Sequence, residues 1–261
     1  SKKLFMKSIK IHIEELREKG ITKIENALTN KDCNYFVERS NKLFNQLLKK
    51  NRTHTFNSDC QWIQSPFRFD YEFYKLLHFK KLDKIFSKVL DKDYVLTNSS
   101  IVNRRIYKHK KIKGINMGDK WHTDSRYLDG KRLDKGFGYL VIIMLEDFNK
   151  NNGCTKYVPK SHFYRERPKR NKDYKHKLLT GKKGTIVIMD TGIWHKGGKP
   201  NNISRWSIFS YYSPWFVKPY YQYDKMIGPK KMKKLDKNIK KLLHFNSTPP
   251  INDDKRIGTI T

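Results

Sequence analysis

The side chains best suited to chemistry in this chain are His122, Asp124, His195 and Arg205. His122-Thr123-Asp124 sets an imidazole and a carboxylate two positions apart, and residues two apart on a β-strand face the same side. His195 comes much later, after the strand-like run Gly184–Met189, and supplies a second imidazole. Two imidazoles and one carboxylate on a single face of a metal leave three positions open, the arrangement used by non-haem Fe(II) oxygenases. An HxD tripeptide alone is a weak sign, because it occurs by chance and a histidine near a strand end more often packs than ligates. Arg205 adds a planar, permanently charged fork that matches a carboxylate.

These groups need a scaffold, and the apolar periodicity outlines one. The first ninety residues read as helical. Ile9, Ile13 and Leu16 fall at helical spacing before a stop at Gly20. Asn30 is expected to cap a second helix with the apolar stripe Cys33, Phe36, Leu43 and Leu47. Leu77, Leu82, Ile85, Phe86 and Val89 outline a third. From about residue 93 the period changes to two. Tyr94–Leu96, Ser100–Tyr107, Gly138–Glu146, Thr155–Val158, Gly184–Met189 and Arg205–Tyr212 are short runs punctuated by Gly, Pro, Asn and Asp. Strands of this kind suggest a barrel or sandwich rather than alternating βαβ units. Tyr139 is expected to pack in the core. Met232, Leu235, Ile239 and Leu242 form one stripe on a Lys-bearing C-terminal helix. With no internal repeat and no linker, the chain 1–261 reads as one domain: a helical part to about 92, a strand-rich core over 93–215, and a basic helix and tail over 216–261.

Longer motifs surround the candidate ligands. The run Asn151-Asn152-Gly153-Cys154-Thr155-Lys156-Tyr157-Val158-Pro159-Lys160-Ser161-His162 resembles the turn signature of the phytanoyl-CoA dioxygenase family. Trp121-His122-Thr123-Asp124 is similar to that family's proximal half, and Gly184–Asp190, Trp194-His195 and Arg205 to its distal half. Order and spacing agree over about residues 94–213. Lys160 departs from the pattern, standing in a turn where the family favours Gly.

The resemblance implies a mainly β fold with flanking helices around a double-stranded β-helix (jelly-roll, cupin-like) core that holds Fe(II) and uses 2-oxoglutarate and O2. Carried over by position, His122, Asp124 and His195 are the expected catalytic metal ligands, and Arg205 the expected clamp on the distal carboxylate of 2-oxoglutarate. Ser207, on the same strand face as Arg205, is expected to add a second hydrogen bond. Asn103, on the strand before the HxD, is expected to help hold the cosubstrate. Trp121 and Trp194 are expected to pack beside the imidazoles and orient them, and His162 to serve the turn rather than the metal. The implied reaction hydroxylates an aliphatic C–H of a small substrate and releases succinate and CO2, with ascorbate as a candidate reductant. Asp124 disfavours halogenation, because related halogenases carry Ala or Gly at that position.

Composition sets the remaining bounds. Hydrophobic residues make up 37% of the 261, enough for a packed core. No apolar run approaches the roughly 20 residues of a membrane span, and the N-terminal segment has no apolar signal core, so the chain reads as soluble and cytoplasmic. Cys33, Cys60 and Cys154 are scattered, which disfavours a disulfide framework or a zinc ribbon. The net charge of +32 attracts anions of any kind. Lys outnumbers Arg 44 to 13 and Ala27 is the only alanine, a usage that an AT-rich genome produces without any function. Arg165–Lys177 and Lys225–Lys241 are the densest basic stretches; the first is expected to overhang a pocket mouth and favour an anionic small substrate. Two other readings compete. A nucleic-acid oxidative demethylase would exploit the charge, but such proteins carry a second arginine where this chain has Tyr211. A non-catalytic barrel-fold binding protein would not need the full set of His122, Asp124, His195 and Arg205.

Overall fold

The computed structural model describes residues 7–50, 60–106, 118–125, 137–199 and 201–245, together with the backbone of 127–128 and 131–132. Three helices open the chain. Helix α1 (Ile9–Lys19) is capped by the Ser8 hydroxyl and stops at Gly20, which takes the left-handed conformation at φ 73°. Helix α2 (Asn30–Lys49) is capped by Thr29 rather than Asn30. The Thr29 hydroxyl accepts from the Asp32 N–H while the Asp32 carboxylate accepts from the Thr29 N–H, and this reciprocal pair outcompetes a single Asn cap. Its stripe Cys33, Phe36, Leu43 and Leu47 is buried, as the spacing predicts. Helix α3 (Lys80–Val89) buries Leu82, Ile85 and Phe86.

The strands are β1 (Ile21–Ile24), β2 (Gln61–Gln64), β3 (Val95–Asn103), β4 (Tyr127–Leu128), β5 (Lys131–Arg132), β6 (Tyr139–Met144), β7 (Lys156–Tyr157), β8 (Lys177–Leu178), β9 (Ile186–Asp190), β10 (His195–Lys196) and β11 (Trp206–Ser213). A six-stranded antiparallel sheet runs β1-β9-β6-β11-β3-β2, and a smaller sheet runs β10-β7-β8. His122 extends the smaller sheet by pairing with His195 through reciprocal N–H···O bonds of 3.0 and 2.9 Å. The two sheets form a double-stranded β-helix core.

Three expectations need correction here. The first ninety residues are not all helical: β1 and β2 lie at the two edges of the large sheet, and at four residues each is too short to show a period against its helical surroundings. Tyr94–Leu96 and Ser100–Tyr107 are joined in one strand, β3, as far as Asn103; Tyr107 lies outside the described residues. The polar run between them belongs to the sheet because Thr97 and Ser99 bond across to Ser213 and Ser210, at 2.8 and 3.0 Å. The C-terminal stripe is broken into helices α4 (Tyr223–Ile227), α5 (Pro229–Lys233) and α6 (Lys237–Leu242), the last restarted by an Asp236 cap; Leu235, Ile239 and Leu242 are still buried.

Alternation on the central strands carries the architecture to the site. On β6, Val141 and Ile143 join the core beneath the helices, while Leu140, Ile142 and Met144 join the core facing the small sheet. On β9, Ile186 and Ile188 point one way, Val187 and Met189 the other. Both faces are therefore buried, which is why these segments read as continuous apolar runs. On β11, Trp206, Ile208 and Tyr212 face the helices, so Phe209 and Tyr211 face inward, as does Arg205 just before the strand. All three cysteines are buried. No helix among the described residues is long and apolar enough to cross a membrane.

Candidate metal centre

His122, Asp124 and His195 converge: one ligand atom from each lies within 4.8 Å of the others. The imidazole centroids of His122 and His195 are 4.3 Å apart, and His195 Nε2 is 3.4 Å from Asp124 Oδ2. Strand alternation is only part of the cause. His122 makes the β-bridge, but the chain then turns, and Asp124 is held by the backbone of Thr191. The Asp124 and Ser125 N–H groups both donate to the Thr191 carbonyl at 3.0 Å, and the Thr123 hydroxyl donates to it at 2.9 Å.

Both histidines are held in one tautomer by carbonyl groups. His122 Nδ1 lies 2.8 Å from Lys120 O, and His195 Nδ1 lies 2.9 Å from Ile193 O. A carbonyl can only accept, so each Nδ1 carries the hydrogen and each Nε2 keeps a lone pair. Burial, and then the neighbouring His122, push the His195 pKa down, which keeps that ring neutral as ligation requires. The Tyr211 phenol donates to Asp124 Oδ2 at 3.1 Å; burial and then Asp124 raise its pKa, so it remains a donor. Two free imidazole nitrogens and an oriented carboxylate are a donor set suited to Fe(II).

The run Asn151–His162 supplies no ligand and builds the support behind the centre. The Ser161 hydroxyl accepts from the Trp194 N–H at 2.7 Å and donates to Val158 O at 2.7 Å, fixing the residue before His195. His162 Nε2 donates to Arg17 O at 3.1 Å, tying the turn to the end of α1. Gly153 has φ 67°, and a Cβ there would come within 2.5 Å of the Lys199 carbonyl. Lys160 occupies the left-handed region at φ 62°, where a glycine would be unstrained. Trp121 and Trp194 pack edge-on against Tyr174 with centroids 5.6 and 5.1 Å apart. The basic stretch Arg165–Lys177 thus lies against the tryptophans, with Arg170 O accepting from the Trp121 N–H at 3.4 Å. None of its residues lines the cavity beside the ligands, which corrects the expectation that it overhangs the mouth.

That cavity, about 190 Å³, lies between the sheets and is lined by His122, His195, Arg104, Arg205, Phe209 and Tyr211 among others. A larger one, about 570 Å³, lies among α1, β1 and α3, and none of the candidate ligands lines it. Arg205 is 2% exposed, with its guanidinium carbon 4.2 Å from the Phe148 ring centroid. Its Nε and Nη1 have no hydrogen-bond partner among the described residues. Burial, then the charge of Arg104, push its pKa down to about 9. A buried cation with unused donors is costly unless an anion joins it, so this wall of the cavity suits a carboxylate.

The other two expected cosubstrate residues are placed differently. Ser207 shares the inward parity of Arg205, but its hydroxyl faces Val102 O at 3.4 Å and it does not line the cavity. Asn103 does not line the cavity: its amide donates to Gln61 and Ser204 at 2.9 and 3.1 Å and accepts from the Arg205 N–H at 2.7 Å. It anchors the Arg205 backbone. The neighbour one position on, Arg104, is the one that reaches the cavity, since a shift of one residue reverses the face. Tyr211 was also missed as a functional residue. Its signal was parity with Arg205, six positions earlier and immediately before β11.

A family model described as phytanoyl-CoA dioxygenase (PhyH) matches residues 16–205. No curated protein matches the sequence. Among solved structures, the chain is similar to the epimerase SnoN in complex with Fe3+, alpha ketoglutarate and nogalamycin RO, at 12% identity and TM-score 0.62, covering 81% of this chain and 86% of that one. It is also similar to the non-heme alpha ketoglutarate dependent carbocyclase SnoK from nogalamycin biosynthesis, at 16% identity and TM-score 0.60, covering 87% and 90%. HygX from Streptomyces hygroscopicus, with nickel, 2-oxoglutarate and hygromycin B bound, gives 12% identity and TM-score 0.61 over 84% and 94%. At these identities the likeness establishes the fold.

Proposed function

We propose, from the premise that this chain belongs to the phytanoyl-CoA dioxygenase (PhyH) family of Fe(II)- and 2-oxoglutarate-dependent oxygenases, that it hydroxylates an aliphatic C–H bond of a small substrate with release of succinate and CO2. In this reading His122, Asp124 and His195 hold the iron, and Arg205 holds the distal carboxylate of 2-oxoglutarate. The supporting observation is the pairing of two features: three ligand atoms within 4.8 Å of one another, and, in the cavity that His122 and His195 line, a buried guanidinium with unused donors among the described residues.

Iron and 2-oxoglutarate, once bound, supply with O2 the oxidising power that breaks the C–H bond. The chain supplies geometry and exclusion of water. The carbonyl groups of Lys120 and Ile193 aim the two Nε2 atoms, Tyr211 sets the carboxylate, and Leu140, Val102 and Phe209 make the cavity wall apolar. Asp124 fills the carboxylate position, which favours hydroxylation over chlorination. Small-molecule substrates accord with the HygX structure, which holds hygromycin B. Structural relatives described as an epimerase and a carbocyclase show that this fold also serves reactions other than hydroxylation.

The test is iron-dependent succinate release across a metabolite library, with mass analysis for a product heavier by one oxygen atom. Such a product, lost in Asp124→Ala, supports the reading. Failure of the purified protein to bind Fe(II) and 2-oxoglutarate overturns it.

A further inference from the structure

Arg104 and Arg205 form a cross-strand pair of like charge. Asn103 is in register with Trp206, so the next positions, Arg104 and Arg205, are opposed, and the Arg104 N–H donates to Arg205 O at 3.3 Å. Both side chains are more than nine-tenths buried and both line the cavity that His122 and His195 also line. Two cations opposed on neighbouring strands repel, the more so out of water. Arg104 is ion-paired with Asp119, and it also donates to Gly198 O at 3.3 Å. The surplus charge therefore resides on Arg205, whose Nε and Nη1 have no partner among the described residues.

The backbone is shaped to admit the Arg104 guanidinium. It lies over Gly197, two residues past His195, where any Cβ would come within 3.0 Å of its Cζ and Nη2. Gly118, whose carbonyl accepts from the Gly197 N–H, also leaves room, with a Cβ position 3.4 Å from Nη1. A guanidinium laid across the strand that follows a metal ligand, and opposed to a second guanidinium, bounds a place for one anion with two planar donors around it.

We infer that Arg104 is a second cosubstrate-binding residue, so that the distal carboxylate of 2-oxoglutarate is held between Arg104 and Arg205. The inference rests on the function proposed above and deepens it, by assigning selection for a dicarboxylic 2-oxo acid to two arginines. Asp119 keeps the Arg104 side chain extended over Gly197 when the anion is away.

The experiment is an anaerobic titration of the Fe(II)-loaded protein with 2-oxoglutarate and, separately, with 2-oxobutyrate, which lacks the distal carboxylate. The visible charge-transfer absorption reports binding without turnover. A charge-assisted hydrogen bond corresponds to about a 10- to 100-fold change in dissociation constant. Arg104→Gln is expected to weaken 2-oxoglutarate by about that factor, leave 2-oxobutyrate nearly unchanged and keep iron affinity; Arg104→Lys is expected to fall between wild type and Gln. Equal weakening of both acids, or loss of iron with the preference intact, overturns the inference and makes Arg104 a structural residue. Unchanged 2-oxoglutarate binding in Arg104→Gln, with weakening in Arg205→Gln, also overturns it while sparing the proposed function. A wild-type protein that binds neither acid defeats the proposed function itself.

Discussion

The Tyr211 phenol and the Asp124 carboxylate join the two sheets at the metal centre: the donor comes from β11 of the large sheet, and the acceptor from the segment after His122. The bond reaches Oδ2, the same oxygen that lies 3.4 Å from His195 Nε2. Tyr211 also stands beside a register shift in the pairing of β11 with β3, where Thr97 of β3 is the extra residue and Tyr211 keeps its inward face.

Tyr211→Phe keeps the ring and removes only this donor. Partners of metal ligands typically change affinity by about 10- to 100-fold. Fe(II) affinity, measured by chelator competition, is expected to fall by about 10-fold with unchanged thermal stability. Unaltered affinity would mean that Thr191 alone positions the carboxylate.

His122→Ala and His195→Ala are expected to abolish iron retention and turnover together. Arg205→Ala is expected to raise the KM for 2-oxoglutarate while sparing iron, and Arg205→Lys to restore little, because an ammonium cannot reproduce the planar fork. Iron loss in Arg205→Ala, read by metal analysis of the purified variant, would remove Arg205 from the cosubstrate role.

Ser161→Ala leaves the buried Trp194 N–H without its acceptor. The expected cost is about 1–3 kcal/mol of unfolding free energy, with weaker Fe(II) binding, since Trp194 precedes His195. Lys160→Gly, in the same turn, is expected to stabilise by up to about 1 kcal/mol by relieving the left-handed backbone at φ 62°. Urea midpoints of both variants decide the signs.

A pH dependence follows from α1. His12 Nδ1 donates to the Thr22 hydroxyl at 2.8 Å, which donates to Glu15 at 2.6 Å, and His12 Nε2 is buried without a partner among the described residues. Burial, then Lys81 and Lys7, push His12 down from 6.5 to about 4. The unfolded chain takes up this proton first. The contribution is therefore complete above pH 6.5 and is lost as pH falls towards about 4, on the order of 3 kcal/mol in all. His244, lowered by burial, adds in the same direction. Burial alone would raise Glu15, but hydrogen bonds from Lys7, Thr22 and Lys19 hold it at about 2, so its contribution is lost only at lower pH. Urea midpoints at about pH 7 and about pH 5 should converge in His12→Asn relative to wild type; an equal drop in both proteins would assign the sensitivity elsewhere.

The residue types, their order and their local periods were enough to single out the candidate ligands and the candidate arginine and to indicate the barrel, because a metal and a diacid demand particular side chains and a half-buried strand demands alternation. His122, Asp124 and His195 converge, and Arg205 lines the same cavity as the two histidines. Pairing partners were not legible. Whether Asn103 or Arg104 faced the cavity depended on the register of β3 against β11, and one residue reverses that answer. Four-residue β1 and β2 became strands only because β9 and β3 offered them open edges. The basic stretch Arg165–Lys177 found its place against Trp121 and Trp194 through ring contacts between distant segments. Local sequence encodes what a residue can do; which neighbours it meets is settled by long-range contacts that form only when the sheets close on each other.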